Sequence, residues 1–137
     1  MSGVVEALRA ALETGFAADP AVMARLGDPL RLYQSRAHRA AYPHASWSRV
    51  ETVETGADGV RLLDVRLGLD VWQRDSDPGP VLDALADAVI ALATPDLPAP
   101  WHLVTLHPTY RDVFATRDRR LRRGVLRVRA VLGRAAT

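Results

Sequence analysis

Four histidines, His38, His44, His102 and His107, are the side chains of this sequence best suited to hold a metal or move a proton near neutral pH. Their spacing works against both. No two fall at the separation of a helical ligand pair, no carboxylate stands at a familiar offset, and there is no cysteine to complete a site. No metal and no cofactor are expected. The serines lie in no nucleophile-elbow context and there is no glycine-rich phosphate loop, so acyl and phosphoryl transfer both lack their usual parts. Asp64 and Asp70 share one face of a strand pattern, but arginines on a neighbouring strand are simpler partners for them than a substrate would be. Trp47, Trp72 and Trp101 have faces that can stack on nucleobases, yet aromatics at sheet positions more often anchor a core or an interface. The residues therefore read as those of a protein that is not an enzyme.

The remaining chemistry is guanidinium chemistry. All 18 basic residues are arginine, so the pI near 9.6 reflects groups charged at any ordinary pH. They are unevenly placed: from position 111 onward nine arginines face only Asp112 and Asp118, a local charge of +7, whereas the nine arginines before it face 14 acidic residues, a local charge of −5. Arg119, Arg120, Arg122, Arg123, Arg127 and Arg129 are the densest part of that block and the candidate interface. Such a block fits a nucleic-acid surface, a docking surface for an acidic protein, or a solvated strand face. Arg127 and Arg129 share a strand face and read as a rigid pair for carboxylates of an adjoining protein. The four before them are expected in or beside a mobile turn.

The elements that must carry these residues centre on positions 60 to 93. Leu63, Val65, Leu67, Leu69 and Val71 alternate with Asp64, Arg66, Gly68, Asp70 and Trp72, the period-two pattern of a half-buried strand. At about 1.5 to 3 kcal/mol for each fully buried aliphatic side chain, this strand anchors the core. Asp77-Pro78 then marks a helix start, Val81, Leu82, Leu85, Val89 and Leu92 recur at helical spacing, and Thr94-Pro95 stops the helix, which is expected at 78 to 93 on the apolar face of the strand.

Before this unit, Val5, Leu8, Leu12 and Phe16 predict a helix over 3 to 16. Asp19-Pro20 opens a short second helix ending before Gly27, and residues 34 to 46 read as a loop. Residues 46 to 55 read as a strand with poor apolar alternation, turning at Gly56 to Gly59 into an antiparallel hairpin with the central strand. After it, Pro95, Pro98 and Pro100 exclude a helix, Trp101 to Thr105 reads as a strand, Thr109 to Arg119 as a polar turn, and Leu126 to Leu132 as a last strand. The fold class is α+β, an antiparallel or mixed sheet of about four strands with helices packed on one face. A length of 137 residues fits a single domain spanning 1–137. No apolar run reaches the roughly 18 to 20 residues that cross a bilayer, and the N-terminus lacks the basic start and cleavage site of a secretory signal.

The order of parts is similar to a known family. The initial VVEALRAAL, the short ADPAVMARLG, YPHASWSRVET, VRLGLDVWQRD followed by VLDALADAVIALA, and the closing YRDVFATRDRRLRRGVLRVRAVL resemble the tail completion, or tail terminator, proteins of long-tailed bacteriophages and gene-transfer-agent particles. The likeness spans nearly the whole chain. Its most specific part is a strand ending in an aromatic, Asp70-Val71-Trp72, then a short loop and an alanine- and leucine-rich helix. The chain departs from the family in the histidine- and arginine-containing loop before Trp47. The resemblance implies a structural virion protein, assembled in the bacterial cytoplasm, that caps the finished tail tube as a hexameric ring, ends its growth and offers a surface for head-tail joining. Implied partners are further copies of the chain, the tail tube protein and the head-tail connector, with DNA passing through the ring without specific recognition and no membrane involved. The alternative drawn from the residues alone is a nucleic-acid-binding module using the arginine-rich C-terminal strand.

Overall fold

The computed structural model describes residues 2–57, 59–92 and 94–135. Its elements in chain order are α1 (Ser2–Ala18), α2 (Pro20–Leu26), β1 (Leu32–Tyr33), β2 (His44–Ala57), β3 (Val60–Arg74), α3 (Gly79–Ala91), β4 (His102–Ala115) and β5 (Leu121–Ala135). The strands form one mixed sheet in the order β1-β2-β3-β5-β4, antiparallel except for the β1–β2 pair, with β3 in the middle.

Alternation on β3 places its side chains as the sequence predicts. Leu63, Val65, Leu67, Leu69 and Val71 are all buried, at 1% exposure or less, and their partners across β5 are Leu132, Ala130, Val128, Leu126 and Gly124. These two rows face the helices. Because side chains directly opposite one another in a ladder share a face, this register fixes the other face as well: Asp64, Arg66, Gly68, Asp70 and Trp72 on β3 lie beside Val131, Arg129, Arg127, Val125 and Arg123 on β5.

The helices divide the covered face between them. Trp47 donates from Nε1 to Glu13 Oε1 of α1 at 2.7 Å, and Arg9 of α1 lies over the Trp47 ring, which holds α1 towards β2. Helix α3 lies on the expected face but is displaced towards β5 and β4. The bare backbone of Gly124 makes room for it, since a Cβ there would stand 3.0 Å from Leu82. Helix α2 begins as predicted, with Asp19 Oδ1 accepting from the amides of Ala21 and Val22 at 2.9 and 3.3 Å. At the start of α3 the Asp77 carboxylate accepts only from Gly79 N, at 3.0 Å. The helix ends at Ala91, and the last residue of the predicted span, Ala93, lies outside the described residues.

The strands depart from expectation in three places, each with a physical cause. Strand β2 starts at His44 inside the predicted loop, because β1 in Leu32–Tyr33 pairs with Ala45 and Ser46 and adds a fifth strand. Its register shifts between Trp47 and Arg49, so Trp47 faces the helices while Arg49 lies opposite Gly68 on the other face, which is why alternation looked poor. Strand β4 runs on to Ala115 through much of the predicted 109–119 turn. Register shifts between Leu103 and Thr105 and between Pro108 and Tyr110 break its period, and Pro108 is tolerated because β4 is an edge.

Candidate functional site: an arginine-rich open sheet face

The helices cover one face of the sheet only. On the other, the loop of residues 34–43 packs over one corner, where Arg36 lies 3.9 Å from the Trp72 ring centroid and Arg123 lies 6.0 Å from it. Trp72 is 8% exposed as a result, an anchor held by two cations and closed to stacking with a base. His44 pairs with Trp72 across the ladder and is buried, with Nδ1 3.2 Å from Ala41 O. Burial lowers its pKa, opposed by the Ala41 hydrogen bond and assisted by Arg36 and Arg31, so its neutral form is favoured. Away from this corner the sheet is open.

Register brings four arginines together there: Arg49 opposite Gly68, Gly68 opposite Arg127, and Arg66 opposite Arg129. With Thr109 and Tyr110 of β4 they line a shallow depression of about 350 Å³. Gly68 keeps its floor low, because a Cβ at that position would meet Ser48 Oγ at 2.9 Å and Arg49 Cβ at 3.0 Å.

The arginines differ in what already holds them. Arg129 grips Asp64 through Nε to Oδ1 at 3.1 Å and Nη2 to Oδ2 at 2.8 Å, a two-bonded pair that Arg66 supplements at 3.6 Å. Hydrogen bonding from Arg129 is the main reason that the Asp64 pKa is lowered, against the opposing effect of burial. Arg49 pairs with Glu51 at 2.7 Å. Arg123 pairs with Asp70 at 3.1 Å. Asp64 and Asp70 are thus bound by arginines of the neighbouring strand, as the sequence reading expects. Arg127 is different: among the described residues it meets no carboxylate, and its guanidinium lies over the Tyr110 ring at 5.3 Å.

The six arginines singled out from sequence therefore do not act as one patch. Arg123, Arg127 and Arg129 share the open face, while Arg120 is turned to Asp75 with two bonds of 2.7 and 2.6 Å and so is tied down where a mobile turn was expected. Arg119 lies in the exposed β4–β5 turn, and Arg122, opposite Gln73, points to the opposite face from Arg123. Sequence reasoning missed Arg49, Arg66, Tyr110 and Phe114. Arg66 was visible in the β3 alternation; the register shifts in β2 and β4 hid the others. Tyr110 and Phe114 are 42% and 43% exposed and lie opposite Arg127 and Arg123, so an aromatic rim borders the cations.

No group of histidine and acidic side chains able to hold a metal occurs among the described residues. What the face offers instead is arginine, aromatic and short aliphatic side chains on a rigid sheet, the composition of a protein contact.

A solved structure shares this fold. The chain superposes on a component of a native gene transfer agent particle virion with a TM-score of 0.75 at 19% identity, covering 97% of this chain and 99% of that one. No curated protein matches it. The family model described as Tail completion protein gp17 matches residues 6–133, and the chain belongs to that family. It is a structural protein of a phage or phage-like particle, located in the tail and associated there with other virion proteins.

Proposed function

We propose that this protein ends tail growth by closing as a hexameric ring on the finished tube, and that the exposed side of the ring receives the head-tail connector. Membership of the tail completion family carries the reading. The form of the domain supports it: a two-layer domain with one sheet face open carries two unlike surfaces, and unlike surfaces join copies head to tail in the manner that closes rings. Strand β4 is an open edge of 14 residues whose proline and two register shifts guard it against uncontrolled strand addition, as suits a protein that must stop a polymer.

A nucleic-acid role for the C-terminal arginines has less support. Arg120, Arg123 and Arg129 are committed to Asp75, Asp70 and Asp64, and the open face alternates acids with bases. DNA would pass the ring without recognition. Electron microscopy of particles made without this protein tests the terminator reading: tube subunits should polymerise into tails of uncontrolled length that carry no heads. Normal joined particles from such a strain would refute it.

A further inference from the structure

Two surfaces of this chain lack a partner and are opposite in character. One is the centre of the open sheet face, where Arg127 has no carboxylate within ion-pair distance among the described residues, Tyr110 presents an exposed ring across from it, and the exposed Phe114 follows further along β4 opposite Arg123. The other lies on α3. Asp83, Asp87 and Ile90 recur there at spacings of four and three on the solvent side of the helix, and Asp83 reaches Arg111 of β4 at 2.9 Å, which turns this row towards the β4 edge. Asp87 has no cationic partner among the described residues, and Ile90 is 67% exposed. An unpaired cation bordered by aromatics thus faces outward on the sheet layer, and an unpaired anion bordered by an aliphatic faces outward on the helix layer.

We propose that these surfaces are the two halves of one contact between copies of the chain: Asp87 of one copy docks on Arg127 of the next, and Ile90 packs on the Tyr110–Phe114 rim. The proposal rests on the ring reading and names the surfaces it would use. The charges are complementary and neither group has to give up an existing ion pair to meet the other. The other three cations of the depression are each engaged with an acid of their own chain, Arg49 with Glu51 and both Arg66 and Arg129 with Asp64, so Arg127 is the one left to receive an incoming carboxylate. Because the surfaces differ, the contact is heterologous: each copy uses one half towards either neighbour, and the chain of contacts closes when the rotation allows. A nucleic-acid backbone fits this face poorly, since Glu51, Asp64, Asp70 and Asp112 interrupt any run of cations that could follow successive phosphates.

The test is a charge swap on the full chain. Sedimentation velocity across a concentration series should show the parent self-associating, Arg127→Glu and Asp87→Arg each weakening association about tenfold or more, and the double variant recovering most of that loss. Both positions are exposed, and circular dichroism verifies that each variant stays folded. A parent that remains monomeric throughout, single variants that associate like the parent, or a double variant with no recovery would each overturn the proposal. So would tight, salt-sensitive binding of a DNA duplex by the parent that Arg127→Glu abolishes. The ring reading is checked separately by particles lacking the protein. If those are defective while the single variants complete tails as the parent does, this pair of surfaces is wrong and the ring reading stands.

Discussion

Replacing Asp64 with Asn isolates the contribution of the ion pair that organises the open face. The carboxylate is 11% exposed at its side chain and accepts two bonds from Arg129, whose own side chain is 44% exposed. Hydrogen bonds to charged groups contribute about 1.5 to 3 kcal/mol each when shielded, and an exposed pair contributes below about 1 kcal/mol in total. With one partner nearly covered and the other half in water, a loss of about 1 to 2 kcal/mol follows, or roughly 4 to 8 °C in melting temperature for a chain of this size. The pH dependence separates this cause from loss of packing. The folded Asp64 pKa is depressed, so its contribution is fully present above the ordinary carboxylate range and is lost as pH falls through the folded value. Urea melts at neutral pH and in acid, parent against variant, should show a gap at the first that closes at the second. A gap of equal size at both would refute the electrostatic account, and no gap at neutral pH would mean that solvent screens the pair completely.

Shortening Leu67 to Ala, at 1% exposure in the middle of β3, should cost about 2 to 5 kcal/mol in urea melts, and an Asp there should prevent cooperative folding. Gly124→Val would drive a branched side chain into Leu82 and should destabilise by about 1 to 3 kcal/mol in the same assay, without affecting the open face. Trp47→Phe removes both the bond to Glu13 and one ring of a buried indole, and should destabilise by about 1 to 3 kcal/mol in the same assay. The lowered His44 pKa predicts stability that declines as pH falls below about 6.5, where the unfolded histidine takes up a proton that the folded one refuses. His44→Gln should flatten that slope in melts between pH 7 and 5.

Where one rule decided a residue's place, the sequence was sufficient to find it. The β3 alternation, the Asp19 cap and the Asp64 and Asp70 pairings each follow from a local period or a cross-strand charge match, and each is found in the structure. The length of β4 was not legible. Two register shifts and a proline erase its period, and an edge strand that packs on the core only through the partly buried Leu103, Leu106 and Val113 carries little hydrophobic signal in any case. The site suffered more, since its membership depends on which strands become neighbours. Arg49 joins Arg127 only because β2 and β5 flank β3 and because the shift at Ser48 turns Arg49 outward. Counting arginines along the chain found the right segment but could not say which were already spoken for.

That distinction bears on how the open face works. Arg127 is flanked along β5 by Arg129 two positions on and Arg123 four positions back, and alternation puts all three on one side. Three adjacent guanidinium groups would repel one another and scatter into solvent. Asp64 and Asp70 on β3 neutralise the outer two and fix them across the sheet, which leaves a single unpaired cation over Tyr110 on a floor kept open by Gly68. Little side-chain freedom is then left to lose on docking, so a carboxylate arriving at Arg127 gains more than it would from a loose arginine on a turn. Removing Asp64 should therefore weaken association between copies as well as folding, although it lies outside the proposed contact, because Arg129 and Arg66 lose the carboxylate that orders them and their side-chain freedom must then be lost on docking. Asp75→Asn, which frees Arg120 in the turn beyond the open face, should leave association unchanged in the same sedimentation experiment. Equal effects from the two substitutions would mean that net charge, and not the arrangement on the sheet, governs the contact.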